Sequence, residues 1–152
     1  MSNTPKPPSG QDYAGDVSVA DAWTTLKSDP SARLIDVRSA AEWSFVGVPD
    51  LGPLGKETIF VELQSFPTMS MNPQFLSDAV ASLEKSGARA DSPVLCICRS
   101  GGRSRAAAIA LTRAGFARSF NVAGGFEGDV DREGHRSRVN GWKAAGLPWR
   151  QT

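Results

Sequence analysis

The sequence predicts an α/β domain in which short strands alternate with helices and form a mainly parallel sheet. The strongest strand signal is the run Val94–Ile97, which is apolar at every position, as in a parallel strand covered on both faces. Helix-start signals and helical spacing of apolar residues recur between the strand candidates. At 152 residues the chain has the length of one domain that can bury its own core. This alternation is typical of helices packed against a parallel sheet.

The first part of the chain carries two helix starts and two strand candidates. The segment Ser18–Asp21 has a capping pattern and predicts a helix that runs to about Lys27. The short apolar run Leu34–Val37 predicts a buried strand, and we also expect an edge strand within residues 12–17. The segment Ser39–Glu42 is a second capping box, which starts a short helix.

The middle of the chain is the least regular part. Residues 59–63 predict a strand, but the whole segment 50–71 is longer than a minimal connection between a strand and a helix. Its length and its Gly and Pro content indicate a lid or a partner surface. After it, Asn72-Pro73 predicts a helix start with Pro at the first helical position, and Gly87 ends that helix.

The last part of the chain repeats the alternation of strand and helix. A strand at residues 93–98 is followed by a Gly-containing loop and an Ala-rich helix at residues 103–114. Residues 119–122 predict a final strand, and residues 139–145 predict a terminal helix that Gly146 stops.

The composition argues against two classes of binding protein. Lys and Arg total 17 against 16 Asp and Glu, a formal net charge of +1, whereas proteins that bind nucleic acids or membrane surfaces show a basic excess. No stretch approaches the ~18 apolar residues of a membrane-spanning helix. Residues 1–11 are polar and Pro-rich, so we expect a disordered leader before a single domain at 12–152. The expected location is cytoplasmic, because the two cysteines cannot build a disulfide framework.

Cys98 is the candidate nucleophile. It ends the most apolar strand and begins a loop that leads directly into a helix, so backbone N–H groups and the positive end of the helix dipole point toward it. Gly101 and Gly102 permit the tight curvature that such a loop needs. This environment favours the thiolate, which is the nucleophilic form of cysteine. Cys96, two positions earlier, fits an inert place in the core.

Charged and hydroxyl side chains surround this cysteine in the sequence. Arg99, Arg103 and Arg105 stand near the start of the helix, where cations are unfavourable unless an anion is close. Ser100 and Ser104 could hydrogen-bond that anion or cap the helix. The pattern therefore predicts a site for an anion.

A second polar pair is expected at the same edge of the sheet. Asp36 and Arg38 stand at the end of the strand predicted over residues 34–37. Because the carboxyl ends of parallel strands meet at one edge, we place this pair beside Cys98. We interpret the two residues as a structural pair that supports the rim of the site.

Four segments of the chain, in order, resemble the rhodanese family of sulfurtransferases. Together they cover roughly residues 12–150. One family feature is missing: many relatives carry Gly-His-Ile-Pro-Gly where this chain has Gly47-Val48-Pro49-Asp50, which leaves the choice of substrate or partner open. The four segments are the loop Cys98-Arg99-Ser100-Gly101-Gly102-Arg103-Ser104, Leu34–Arg38 with Glu42-Trp43, Asn121–Phe126, and Gly141–Lys143 with Leu147-Pro148.

The resemblance implies a three-layer fold, with a five-stranded mainly parallel sheet flanked by helices. It implies that Cys98 carries sulfur as a persulfide, taken from a thiosulfate-like anion and passed to a thiol or a protein, with no cofactor and no metal. It also implies that the rest of the loop binds the substrate, through Arg99, Ser100, Gly101, Gly102, Arg103 and Ser104.

Other functions stay open at this point. Cysteine phosphatases and arsenate reductases typically space the loop as Cys-x5-Arg, whereas Cys98-x4-Arg103 is one residue shorter, which by resemblance is the sulfurtransferase form. A persulfide-binding regulatory module would keep the same loop. His135, the only histidine, lies in a polar run that predicts a surface loop, and no motif links it to Cys98 in a Cys–His hydrolase. Two cysteines and one distant histidine fall short of a structural zinc site.

Overall fold

A sheet of five parallel strands forms the centre of the computed structural model, which describes residues 12–151. The predicted disordered leader, at residues 1–11, lies outside the described residues. The strands of the chain are β1 (Gly15–Val17), β2 (Arg33–Asp36), β3 (Val48–Pro49), β4 (Ile59–Phe60), β5 (Gln64–Ser65), β6 (Ser70–Met71), β7 (Val94–Ile97), β8 (Ser119–Val122) and β9 (Trp149–Arg150). The helices are α1 (Val19–Ser28), α2 (Ala40–Val46), α3 (Phe75–Lys85) and α4 (Gly102–Arg113), with a 3-10 turn at Gly52–Leu54.

The strand order across the sheet is β1-β8-β7-β2-β4, and every neighbouring pair is parallel. β7 lies in the middle of this order, which explains why all four of its residues are buried. The expected edge strand at residues 12–17 is present as β1, beside β8. The predicted α/β class with a five-stranded sheet is therefore confirmed.

The two faces of the sheet build separate halves of the core. Ile35 and Cys96 belong to one cluster, which also contains buried side chains of α3 and α4. Leu34 and Leu95, their neighbours in the chain, belong to a second cluster with α1 and the C-terminal segment. Successive strand residues point to opposite faces of the sheet, and both faces are covered here. A central strand therefore needs an apolar residue at every position.

Both predicted capping residues begin their helices. The Ser18 hydroxyl accepts a hydrogen bond of 3.0 Å from the N–H of Asp21 at the start of α1. Ser39 and Glu42 form a reciprocal capping box at the start of α2. The second box also fixes the position of Glu42, which matters at the site described below.

One predicted helix start and one predicted helix are wrong, for reasons that lie in the hydrogen bonds. α3 begins at Phe75 and not at Pro73, because Asn72 closes a separate turn by accepting from the N–H of Gln74 and of Phe75. The helix predicted at residues 139–145 is replaced by turns. There the N–H groups of Trp142 and Lys143 donate to the carbonyls of residues 125 and 126 instead of to a preceding helical turn.

The middle segment is more structured than the sequence predicts. The strand expected at residues 59–63 is only two residues long, and beyond it Val61 and Leu63 still donate to the carbonyls of Asp36 and Val37. A small antiparallel hairpin, β5–β6, follows. β3 pairs with β9, so the Gly47–Asp50 region is tied to the end of the chain. No helix within residues 12–151 is long and apolar enough to span a bilayer.

Candidate active site

Cys98 lies directly after β7 and faces the loop that starts α4. Its Sγ atom accepts a hydrogen bond of 3.2 Å from the N–H of Gly101, and the Ser104 hydroxyl lies 3.1 Å away. The side chain is buried, as is that of Ser104. Gly101 adopts a φ of 124°, a conformation that glycine reaches without strain. The first N–H groups of α4 have no partner within the helix and add to the positive potential around the sulfur.

A turn at residues 125–128 packs against this loop and is hydrogen-bonded to it. Phe126 donates its N–H to the carbonyl of Cys98 over 2.8 Å, and Glu127 and Gly128 donate to the carbonyl of Arg99. Gly125 packs so closely under the loop that a Cβ there would lie 2.5 Å from the carbonyl oxygen of Cys98. These contacts hold the two carbonyls toward the 125–128 turn. A side chain at position 125 would therefore collide with the loop, which explains the glycine there.

Arg103, the predicted anion-binding residue, already has a carboxylate partner. Its Nη1 and Nη2 atoms donate to the two oxygens of Glu42 over 2.6 and 2.8 Å. Partial burial alone would raise the pKa of Glu42, but hydrogen bonds from Arg103 and Ser39 outweigh it and lower the pKa to about 2. The pair joins α2 to α4 beside the loop. Three N–H groups of the guanidinium remain for other acceptors.

Asp36 and Arg38 form the structural pair that the sequence predicts. Nη2 of Arg38 lies 2.7 Å from Oδ2 of Asp36, and Nε lies 3.0 and 3.1 Å from its two oxygens. The same guanidinium donates to the carbonyl of Gly47 and stacks on the ring of Phe126. Both charged side chains are fully buried, so they fix β2, β3 and the 125–128 turn relative to one another.

The other predicted site residues do not all lie close to Cys98. Arg99 is exposed, and Ser100 is half-buried. Arg105 points away from the loop, because its Nη2 lies 3.6 Å from Asp16. Gly102 is exposed at the first position of α4. Arg99 and Arg103 therefore remain beside the loop, and Arg105 does not.

The buried polar contacts of Ser104 continue beyond the predicted site. Its hydroxyl lies 2.6 Å from Oδ1 of Asn121 on β8. Nδ2 of Asn121 donates to Oδ1 of Asp16 on β1 over 3.0 Å, and the Tyr13 hydroxyl donates to the same oxygen over 2.8 Å. Partial burial favours a higher pKa for Asp16, but the hydrogen bonds from Tyr13 and Asn121 dominate and lower it.

A groove of about 710 Å³ lies beside the loop. Phe45 of α2 and Phe66 of the middle segment line it, and 82% and 65% of their surfaces are exposed. Glu42, Arg99 and Arg103 line its other side. The middle segment thus contributes an apolar wall to the groove beside the loop.

Sequence reasoning missed Glu42 as a partner of Arg103, and it missed Asn121 and Asp16 as neighbours of Ser104. One signal for Asn121 was available: it is a polar residue in a buried strand, three positions before the glycine pair Gly124-Gly125. Nothing local marks the other contacts. Within residues 12–151 no group of three or more His, Cys, Asp or Glu side chains could hold a metal ion, and His135 lies in an exposed turn.

The sequence of the chain matches a known family and several curated proteins. The model of the STR4 middle domain matches residues 14–152. The uncharacterized protein RP600 of Rickettsia prowazekii is 32% identical over 128 residues, which are 84% of this chain and 90% of that protein. A homologue of RP600 in Rickettsia rickettsii is 30% identical over the same length.

Solved structures with the same fold include two bacterial proteins. Rv0390 from M. tuberculosis superposes with a TM-score of 0.82 at 47% identity, over 92% of this chain and 99% of that one. A polysulfide-sulfur transferase from Wolinella succinogenes superposes with a TM-score of 0.56 at 24% identity, over 93% of this chain and 80% of that one. The second likeness concerns the fold alone.

Proposed function

This chain belongs to the STR4 middle-domain family, and we propose that it is a sulfurtransferase that carries sulfane sulfur as a persulfide on Cys98. The observation that carries the proposal is the position of Sγ, 3.2 Å from the N–H of Gly101 at the head of α4. A sulfur atom added to Sγ enters a region where backbone N–H groups and the helix dipole favour negative charge. The likeness of the loop to rhodanese loops and the fold shared with a polysulfide-sulfur transferase support this assignment.

The first half-reaction loads the cysteine. The Cys98 thiolate attacks the outer sulfur of a thiosulfate-like anion, an S–S bond forms, and the S–S bond of the donor breaks. Sulfite leaves with the electron pair of the broken bond, and the negative charge of the thiolate passes to the outer sulfur of the persulfide. Arg103, with Arg99 at the groove, attracts the anionic donor.

The second half-reaction removes the outer sulfur from Cys98. A thiophilic acceptor attacks the outer sulfur, the S–S bond of the persulfide breaks, and its electron pair returns to Sγ as the thiolate. Cyanide serves as the acceptor in an assay and leaves as thiocyanate. In the cell we propose a thiol as acceptor, either free or on a protein.

The dimensions of the loop favour sulfur over phosphate. Four residues separate Cys98 from Arg103, and the Ser104 hydroxyl and the N–H of Gly101 both lie within 3.2 Å of Sγ. Such a small space suits one added sulfur atom better than a tetrahedral phosphoryl group. The loop therefore fits sulfur transfer better than phosphatase or arsenate reductase activity.

Intact-protein mass spectrometry tests the proposal. The protein is reduced, incubated with thiosulfate and weighed before and after addition of cyanide. We expect a gain of one sulfur atom, which cyanide removes as thiocyanate. Cys98→Ser should abolish the gain.

Cys96→Ala is the matched control. Cys96 stands two residues earlier on the same strand and is fully buried, and burial raises the pKa of its thiol. That variant should load sulfur as the wild type does. If thiosulfate and mercaptopyruvate both leave the wild-type mass unchanged, while a phosphate ester or arsenate is turned over, the sulfurtransferase assignment is wrong.

A further inference from the structure

A line of buried hydrogen bonds runs from the sulfur of Cys98 to the edge of the sheet. Sγ contacts the Ser104 hydroxyl at 3.1 Å, and that hydroxyl contacts Oδ1 of Asn121 at 2.6 Å. Asn121 stands opposite Cys96 on β7 and opposite Asp16 on β1 in the register of the sheet. The line ends at Asp16, whose side chain is 41% exposed.

Asp16 determines which end of the Asn121 amide faces Ser104. An ionised carboxylate can only accept hydrogen bonds, so the amide must turn its NH2 group toward Asp16. The hydrogen bond from Tyr13 to the same oxygen of Asp16 helps to hold that carboxylate in place. The carbonyl oxygen of the Asn121 amide consequently faces Ser104.

The orientation of Asn121 in turn determines where the Ser104 proton lies. A carbonyl oxygen only accepts, and the short contact of 2.6 Å therefore holds the single hydroxyl proton of Ser104. Toward Cys98 the hydroxyl presents a lone pair. A Cys98 thiol can donate its S–H to that lone pair, whereas a thiolate faces it without a shared proton.

We propose that Asn121, oriented by Asp16, is a positioning residue that holds Ser104 as a hydrogen-bond acceptor toward Cys98. The Ser104 contact then favours the two states in which Sγ itself is uncharged, the thiol and the persulfide, over the thiolate. The persulfide part of this inference rests on the proposed function. In this proposal the Ser104 hydroxyl acts in the opposite direction to the N–H of Gly101, which favours the thiolate.

The proton movements follow from the geometry. When Cys98 ionises, its S–H proton leaves for solvent or a base. The Ser104 proton stays with Asn121, because turning it toward Sγ would leave the buried Asn121 oxygen without its donor. When sulfur is loaded, the charge moves to the outer sulfur, and the hydrogen bond from Ser104 to Asn121 is unchanged.

Other charged groups lie near Cys98 and are the same in every comparison below. The pKa of Arg103 on α4 is raised, mainly by its hydrogen bond to Glu42 and to a smaller extent by negative charge on Cys98 and Asp36. Arg38 neutralises Asp36, and Arg105 lies on the other oxygen of Asp16. None of these side chains is substituted, so their effects cancel between the variants at positions 104 and 121, whereas Asp16→Asn also leaves Arg105 without its carboxylate partner.

The test measures the rate of Cys98 alkylation by iodoacetamide against pH, in a Cys96→Ala background. The midpoint of the profile reports how readily the sulfur ionises. If Ser104 accepts from the thiol, Ser104→Ala lowers the midpoint by about 0.5–1 pH unit, because it removes the partner of the thiol. If Ser104 instead donates to the thiolate, the same variant raises the midpoint, which overturns the proposal.

Two substitutions distinguish the effect of the hydrogen bond between Ser104 and Asn121 from the effect of the charge on Asp16. Asn121→Leu keeps the charge of Asp16 but removes the oxygen that holds the Ser104 proton, so we expect the midpoint to fall by a similar amount. Asp16→Asn removes the charge but keeps an oxygen that can accept from Asn121, so we expect less than half of that shift. A larger shift in Asp16→Asn than in Asn121→Leu would assign the effect to the charge and overturn the proposal.

The double variant gives the sharpest result. With Leu at position 121 the Ser104 hydroxyl is free to donate to the thiolate, so adding Ser104→Ala should now raise the midpoint. A reversal of sign requires coupling between the two residues, whereas independent effects would add. Asn121→Ala replaces Asn121→Leu if the leucine variant does not fold. Alkylation involves no sulfur transfer, so this result is independent of whether thiosulfate loads the protein.

Discussion

Two carboxylate–guanidinium pairs lie at the same end of the sheet, and they differ in burial and in sequence separation. Asp36 and Arg38 are two residues apart, and their side chains are 0% exposed. Glu42 and Arg103 are 61 residues apart, and their side chains are 20% and 17% exposed. The same chemical contact thus occurs in two settings: the first pair is part of the packing, and the second lies where solvent and, in the proposed reaction, the anionic donor can compete for it.

Burial explains this division. The guanidinium of Arg38 is enclosed by Asp36, the carbonyl of Gly47 and the ring of Phe126, so neither charge of the pair can be hydrated if the other is lost. Arg103 keeps contact with the groove beside the loop. A pair at such a position contributes less to stability than a fully buried one, and under the proposed function Arg103 can also bind the anionic donor.

The largest effect is expected from breaking the buried pair. Arg38→Met leaves the Asp36 carboxylate enclosed without its partner, which should destabilise the protein by about 3–5 kcal/mol. Urea unfolding measures this change. Adding Asp36→Asn to the same chain should recover part of the loss, because no unpaired charge then remains. A single variant as stable as the wild type would show that solvent reaches this pair.

A moderate effect on activity, with a smaller effect on stability, is expected from the partly buried pair. Arg103→Met should reduce kcat/KM for thiosulfate about 10–100-fold, through a weaker hold on the anion, and lower the unfolding free energy by about 1–2 kcal/mol. Arg113→Met is the control, because Arg113 ends the same helix, is exposed and lies 4.0 Å from its partner Asp12. Equal thiosulfate kinetics in the two variants would remove Arg103 from the anion site.

The smallest effect is a pH dependence of stability. The pKa of Glu42 is lowered from its usual 4.5 to about 2, so its contribution is fully present above pH 4.5 and is lost as the pH falls toward 2. Wild type should therefore exceed Glu42→Gln in unfolding free energy by about 1–2 kcal/mol at pH 6, and the difference should shrink to near zero at pH 2. A difference that grows on acidification would contradict the assignment.

The comparison of the two pairs also shows which contacts a sequence reveals. Asp36 and Arg38 could be predicted as a pair because two residues at the end of one strand are neighbours whatever the rest of the chain does. Glu42 was visible only as part of a capping box, since its second role depends on where α4 packs. The helix predicted at residues 139–145 was wrong for the same reason: its N–H groups bond to a turn that is distant in sequence.

The sequence by itself determined the α/β class, the strand that leads to Cys98, the glycine loop and the caps of α1 and α2. Each of these depends on residues within a few positions of one another, where backbone geometry and hydrogen bonding act locally. Only the tertiary structure decided that Glu42 meets Arg103 and that Asp16 reaches Asn121 across 105 positions of chain. Those contacts exist because parallel strands and packed helices bring distant segments to one edge of the sheet, and no local pattern encodes which polar side chains will meet there.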